Sequence, residues 1–475
     1  MMRSVTIIIL SYLLAAAIGL SSCGEADHLD AKADETVVME DPTLPSKAAP
    51  DWAKNANIYE VNVRQYTPAG TFAAFAEHLP RLKAMGVDIL WFMPIYPISE
   101  ERRKGPLGSY YAIADYTAVN PKFGTMEEFE ALVERIHGMG MKVILDWVPN
   151  HTGWDHHWIS NHPEYYTTDS LGNIIDPINP DTGEPWGWTD VADLNYDNAE
   201  MRKAMIEEML FWLREVDVDG FRCDVAVEVP DHFWAQAVPK LREANPDIFM
   251  LAESDHPPHR NEEWFAMTYG WPHHHMMNQI AQGEEDVLAL DTLLADYHKR
   301  FKRGYPMQFI TNHDENSWKG TVEERLGEAA DAMAVLAFTI EGMPLIYSGQ
   351  EAGLDKRLKF FEKDHIDWGN FSRQAFYKTL LELKHRNPAL WNGAAGGRLE
   401  RIYLEKTPKV YAYRRQRGEN EVVVFLNLSS QMQDFTLNGG LLEGDYTNVF
   451  ANSTVSLTEG MGMQLDAWSY LLLER

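Results

Sequence analysis

From Ala56 to about His385 the chain alternates short apolar runs with longer segments of helical period. This alternation restricts the fold more than any other feature. Strand-like runs fall at Ile58–Val63, Asp88–Met93, Lys142–Trp147, Gly220–Asp224, Ile248–Glu253, Met307–Thr311 and Pro344–Ser348. Helical patterns lie between or after them, over Thr71–Met85, Thr125–Met139, Ala199–Glu215, Asp231–Glu243, Asp286–Arg303, Glu323–Ile340 and Arg373–His385. Runs such as VILDW and FMLAE are apolar on both faces, as buried parallel strands are. The pattern predicts an α/β fold with a parallel sheet and crossover helices. An eighth run near Phe265–Tyr269 gives eight βα units, enough to close a (β/α)8, or TIM, barrel over residues 51–392.

Two stretches break the rhythm. After the third run, residues of about 151–193 are rich in Trp, His, Pro, Gly and Asp and lack periodicity. Beyond Asn392 helices vanish. Arg401–Leu404, Val410–Arg414, Val422–Leu428, Tyr446–Phe450 and Trp468–Leu473 alternate with turns, which predicts a small antiparallel β domain over 393–475.

The N-terminus reads as an address. Arg3 precedes an apolar run, Val5–Leu20, too short to span a bilayer, which needs roughly 20 apolar residues. The run ends in Leu20-Ser21-Ser22-Cys23, which resembles a bacterial lipoprotein signal cleaved before a lipidated Cys23. Residues 1–23 are thus expected to be a signal peptide, and the acidic, aperiodic stretch 24–50 a tether. The expected product is an exported bacterial lipoprotein, periplasmic or on the cell surface. Cys223 is the only other cysteine and sits in an apolar run, so no disulfide is expected.

The formal net charge is −29. Such a chain repels nucleic acid and anionic lipid headgroups, because binding either depends on Lys and Arg neutralising phosphate. Its 15 Trp and 20 Tyr supply flat faces that suit sugar rings, though most Trp in a protein of this size anchor cores or loops.

In a barrel of this kind the C-terminal ends of the strands form the active face. Four strand ends here carry acids with Arg, Asn or His beside them. KVILDWVPNH holds Asp146, Asn150 and His151; GFRCDVA holds Arg222 and Asp224; IFMLAES ends at Glu253; MQFITNHDE carries His313 and Asp314. One strand-end acid is usually a helix cap. Four together are hard to explain that way.

These four segments, in this order, resemble the signature regions of the α-amylase family of glycoside hydrolases. Further matches are Tyr111 in YYAIADYTAVNPKFGT, VADLN at 191–195 and GMPLIYSGQE at 342–351. The resemblance implies a (β/α)8 barrel, an excursion after the third strand and a C-terminal β domain. It also implies a retaining double displacement between two carboxyls about 5–5.5 Å apart. Asp224 matches the nucleophile, with Arg222 on the same strand face to hold its pKa down. Glu253 matches the general acid/base, whose pKa must be raised. Asp314 matches the carboxylate that grips the 2- and 3-hydroxyls. Tyr111, His151 and His313 match residues that hold the sugar on the non-reducing side of the cut. Asp146 matches a support of the loop architecture.

Many relatives hold a structural Ca²⁺, not needed for the chemistry, between barrel and excursion. Asn150 and Asp193 match two of its ligands, and the carbonyl of Glu228 is a further candidate; the alternative is a direct Asn150–Asp193 hydrogen bond without metal. Calcium takes six to eight oxygens. His273-His274-His275 cannot easily converge on one ion and is expected in a loop near the groove. Trp154, Trp158, Trp186, Trp188 and Trp271 are expected in loops ringing the mouth, one or two of them as sugar platforms. VAVE after Asp224 departs from the Lys-His pair of many starch amylases, and Asn195 resembles the 1,6- and oligosaccharide-active branches. The expected reaction is hydrolysis of α-1,4 bonds in starch-type glucans or maltooligosaccharides. Alternatives are an oligo-1,6-glucosidase, cyclomaltodextrinase or transglycosylase, or a catalytically silent glycan binder.

Overall fold

The computed structural model describes residues 44–179, 182–404, 407–438, 440 and 442–475. The expected signal peptide, Cys23 and most of the tether lie outside the described residues. Eight parallel strands close a barrel: β1 Ile58–Val61, β2 Ile89–Phe92, β3 Lys142–Trp147, β4 Gly220–Cys223, β5 Phe249–Ala252, β6 Met267–Tyr269, β7 Tyr305–Gln308 and β8 Met343–Tyr347. Strand β6 is short, yet Met267 pairs with Leu251 on one side and Tyr305 on the other. The weakest strand signal in the sequence therefore completes the ring.

Both strand faces are buried, which explains the apolar runs. Ile58, Ile89, Ile144 and Leu251 point into the barrel, whereas Tyr59, Leu90, Val143 and Met250 meet the surrounding helices. Side chains alternate along a strand. The alternation that turns Ile58, Ile89 and Ile144 inward also turns Glu60, Trp91 and Asp146 inward one pleat later. Barrel closure thus delivers a polar layer to the C-terminal end of the strands. Gly220, at the start of β4, lies so near β5 that a Cβ would sit 1.8 Å from the Phe249 carbonyl oxygen.

Local chemistry sets the helix limits. Met126–Gly138 starts at a Thr125–Glu128 capping box and buries Phe129, Leu132, Val133 and Ile136, spaced to share one face. Two expected helices are each broken in two. Thr71–Met85 becomes Phe72–Ala76 and Leu79–Met85, because Pro80 restarts the second piece. Glu323–Ile340 becomes Val322–Leu326 and Ala330–Thr339, parted at Gly327, whose φ of 49° no helix continues.

The excursion contains an antiparallel pair, His151–Gly153 with Val191–Asp193. At the other end of the chain, a six-stranded sheet runs in the spatial order Leu399–Ile402, Val410–Arg417, Asn420–Asn427, Tyr470–Glu474, Gly444–Asn448, Ser453–Leu457. A separate pair joins Gln433–Thr436 to Gly462–Leu465. Ser453–Leu457 and this pair have largely exposed, polar residues, so their hydrophobic signal is weak. Arg415 ties the β region to the barrel. Its guanidinium is buried and donates to the carbonyls of Gly397 (2.8 Å), Thr339 (3.1 Å), Ile340 (2.9 Å) and Trp391 (3.1 Å). Thr339 is the last residue of helix Ala330–Thr339, where carbonyls lack helical partners. No helix among the described residues is long and apolar enough to cross a membrane.

Candidate active site

Arg222 organises the mouth. It lies on β4, fully buried beneath the ends of β3 and β5. Its Nη1 donates to Asp146 Oδ1 at 2.8 Å and Asp224 Oδ1 at 2.7 Å. Its Nη2 pairs with Glu253 Oε2 at 2.7 Å, and Nε donates to the Tyr269 hydroxyl at 3.1 Å. Asp224 follows two residues later on the same face, its N–H bonded to the Trp147 carbonyl at 2.7 Å. Side-chain exposure rises outward, from 0% at Arg222 through 9% at Asp224 and 18% at Glu253 to 36% at Asp314. The three carboxyls therefore open toward solvent, while Arg222, Asp146 and Glu60 form the floor.

A second chain of bonds crosses this floor. His313 Nδ1 meets Glu60 Oε1 at 2.5 Å, while its Nε2 lies 2.8 Å from the Tyr111 hydroxyl and 3.3 Å from Asp314 Oδ2. The Tyr111 hydroxyl donates to Asp146 Oδ2 at 3.1 Å, and Trp91 Nε1 donates to the same oxygen at 3.2 Å. Burial disfavours a charged His313, yet Asp314 and Glu60 outweigh it and push the ring up to about 9. The imidazolium thus donates from both nitrogens. Burial raises Glu60 as well, with His313 and Arg222 opposing, and the 2.5 Å contact joins it to the ring.

Five carboxyls, Glu60, Asp146, Asp224, Glu253 and Asp314, face the two cations Arg222 and His313. Not all five can stay ionised out of water. Burial pushes Asp146 up to about 6 against the pull of Arg222 and His313. Burial also raises Asp224 well above the carboxylate range, with Glu253 and Asp146 adding to it and Arg222 opposing. For Glu253 burial acts upward too, but Arg222 and the Val225 N–H at 2.9 Å leave it lowered. The two carboxyls therefore share one cation unequally. Asp224 shares Nη1 with Asp146, whereas Glu253 has Nη2 and a backbone donor to itself. Asp224 and Glu253 sit side by side on one guanidinium, Asp224 on Nη1 and Glu253 on Nη2. The donor N–H belongs to Val225, a β-branched residue at φ 43°, a conformation that costs roughly 1–3 kcal/mol. Backbone strain is therefore stored where it aims a hydrogen bond at Glu253.

The other sequence candidates divide. His151 is buried, and burial lowers its ring to about 4, so it is neutral; it bonds the Tyr111 backbone and accepts from Asn150 Nδ2 at 3.3 Å. Tyr111 stacks on His313 at 5.6 Å and runs parallel to Phe360 at 6.3 Å. Trp188 meets the His151 ring edge at 5.9 Å, and exposed Trp186 lies face to face with it at 5.5 Å. Trp154 and Trp158 are instead buried, the former under the Arg102 guanidinium, and pack the excursion. The triple histidine is not in a loop. Pro272 begins a helix, Trp271–Gln282, which sends His273 against Tyr297, His274 to Glu315 and His275 against Trp271. Asp146 does more than support loops, since its carboxylate joins Arg222, Tyr111 and Trp91. Glu60, in IYEVN, obeys the strand-end rule but lies outside the segments that carry the resemblance. Tyr269 and Trp91 gave no signal beyond being aromatic in an apolar run.

Asn150 and Asp193 lie together beside the excursion pair, where Asp193 is cross-strand neighbour to His151. Burial pushes Asp193 up to about 6, with Glu228 and Asp176 adding to it, and one Asp176 carboxylate oxygen is buried without a partner. Excess negative charge with an orphaned buried oxygen fits a hard divalent cation. Among the described residues no three Asp, Glu, His or Cys side chains close on a single point, so amide and carbonyl oxygens would complete the shell.

A (β/α)8 barrel with a cluster of carboxyls and one buried arginine at its C-terminal mouth defines a barrel glycoside hydrolase. The profile of the α-amylase catalytic domain matches residues 33–175 and 186–412, and the chain belongs to that family. Alpha-amylase MalA of Haloarcula japonica is 28% identical over 428 residues, covering 86% of this chain and 61% of that protein. A cyclomaltodextrinase of a Bacillus species is 25% identical over 434 residues, covering 80% of this chain and 73% of its own. Among solved structures, the maltogenic α-amylase AmyB of Thermotoga neapolitana superposes with a TM-score of 0.79 at 29% identity. That match covers 89% of this chain and 99% of AmyB.

Proposed function

We propose that the protein hydrolyses α-1,4 bonds of starch-type glucans or maltooligosaccharides with retention at the anomeric carbon. The observation that carries this reading is the Asp224–Glu253 pair, held on the two ends of one guanidinium. The pair holds one proton between its two carboxyls. A sugar ring entering over Tyr111 lies between the two carboxyls, with that proton on Glu253. Asp224, now ionised against Arg222, attacks the anomeric carbon while Glu253 protonates the leaving oxygen. Glu253 then takes a proton from water, which releases the sugar from Asp224. Asp314, with His313⁺ 3.3 Å away, grips the ring hydroxyls as positive charge grows on the ring.

Asp224→Asn and Glu253→Gln should each lower kcat by on the order of 10⁴ with folding intact. Full activity in either would sink the assignment. Products from maltoheptaose, pullulan, isomaltose and cyclodextrin separate the α-1,4 reading from a cyclomaltodextrinase. That second reading is favoured by the cyclomaltodextrinase relatives. Asn150, Asp193 and, through its carbonyl, Glu228 are the proposed holders of a structural calcium ion, which would bridge barrel and excursion. At the N-terminus we read Cys23 as a lipidated anchor, supported by the Leu20-Ser21-Ser22-Cys23 sequence. Cys23→Ser should move the exported chain from the membrane to the soluble fraction; continued membrane retention would refute the anchor.

A further inference from the structure

Directly after Asp314 the backbone widens into a π-helix, Glu315–Lys319. Such turns are rare and collect at functional sites. This one is bolted to a neighbouring loop. Asn316 donates to the Lys356 carbonyl at 3.0 Å and accepts from Leu358 N–H at 2.9 Å, and Ser317 donates to the Leu358 carbonyl at 3.0 Å. The clamp presents Trp318 to solvent at 51% exposure, four residues from Asp314. Its ring rests on Phe360 at 5.1 Å and Phe361 at 5.9 Å. Phe360 in turn lies parallel to Tyr111, with only 7° between the rings. Aromatic surface therefore continues from the floor of the mouth to its rim. One face of Trp318 packs on Phe360 and Phe361, and the other is open to solvent.

We propose that Trp318, backed by Phe360, is a stacking platform for a glucosyl unit beyond the one at Tyr111, and that it sets a preference for longer linear α-glucans. The inference rests on the glucan-hydrolase reading above. A flat indole matches the apolar face of a pyranose, and a neutral ligand suits a chain of net charge −29. Trp318 rests on Phe360 and Phe361, whereas Trp188 meets the ring of His151.

The test uses the full chain and Trp318→Ala, with Trp318→Phe as the conservative variant. Trp318→Ala should raise KM for maltoheptaose about tenfold while changing kcat/KM for maltotriose less than about twofold. Trp318→Phe should recover most of the loss. Equal losses on both substrates, or none on either, would overturn the platform. Calorimetric binding of maltoheptaose to Asp224→Asn, with and without Trp318→Ala, separates the two ideas. If the parent protein cuts neither substrate, the hydrolase reading fails. An affinity drop of about tenfold on removing Trp318 would still support the platform, and an unchanged affinity would refute it.

Discussion

Arg222 and Arg415 are both fully buried arginines, yet their surroundings are opposite in kind. Arg222 is ringed by carboxyls from β3, β4 and β5, whose charges raise its pKa despite burial. Arg415 is ringed by backbone carbonyls, and burial lowers it with only partial offset from Glu341. Carbonyls cannot change charge. The four bonds of Arg415 therefore form a staple with one state, joining the β region to a helix end. The partners of Arg222 can take or give protons, so its site has more than one charge state. A buried cation among carbonyls is architecture; among carboxyls it is a means of placing a proton.

The largest test replaces each arginine by methionine. Arg222→Met leaves Asp146, Asp224 and Glu253 without their shared cation. Breaking a buried pair in this way costs roughly 3–5 kcal/mol, and kcat should fall by on the order of 10⁴. Part of the lost stability should return as pH falls, because the orphaned carboxyls become protonated. Arg415→Met should also cost stability, about 1–3 kcal/mol for each carbonyl left without a donor. It should leave kcat within about twofold, and its stability loss should vary with pH less than that of Arg222→Met, because Glu341 is the one carboxyl that offsets it. Denaturant melts at several pH values check both. If the two variants lose stability with the same pH dependence, the distinction fails.

How much of this was legible in the sequence follows the same division. Strand runs that are apolar on both faces announce a barrel, and four strand-end acids announce its active face. Asp146 and Glu60 also stand in plain view, but their meaning depends on which side of the strand faces inward. Only barrel closure brings Asp146 onto Arg222 and Glu60 onto His313. The unequal sharing of Arg222 between Asp224 and Glu253 is invisible for the same reason, since Nη1 and Nη2 are divided among residues far apart in sequence. The triple histidine misleads because loop composition hides a helix begun by Pro272. Trp318 was unreadable as a rim residue because its exposure depends on a π-turn held by Asn316 and Ser317, and a sequence period does not report such a turn.

His313 gives the next test of proton placement. Its folded pKa, about 9, is raised above the ordinary 6.5. Its contribution to stability is therefore fully present below pH 6.5 and is lost as pH rises through about 9. The amount is on the order of 3 kcal/mol. Activity should show an alkaline limb in the same range, because loss of the proton removes the Nε2 donor facing Tyr111 and Asp314. His313→Gln should abolish the alkaline fall in stability while lowering kcat. A ring resonance that titrates near pH 6.5 in the folded protein would contradict the pairing with Glu60 and Asp314.

Asp193 sharpens the comparison from the other side, as a half-buried acid with Glu228 and Asp176 adding to its raised pKa. Its carboxyl is pushed up to about 6, so without metal the protein should lose stability as pH rises through about 6. A calcium ion held with Asn150 and the Glu228 carbonyl would supply the missing positive charge. At a hundredfold excess of calcium over its Kd, binding should add about 2.7 kcal/mol at neutral pH and flatten the pH dependence. Asp193→Asn should reverse the sign of its effect with conditions. In EDTA it removes an uncompensated charge and should stabilise; in calcium it removes a ligand and should destabilise relative to the parent. Thermal melts of both proteins, with and without calcium, decide the matter. If calcium leaves the parent's unfolding midpoint unmoved, no calcium is held here, and the raised carboxyl of Asp193 is carried by protonation alone.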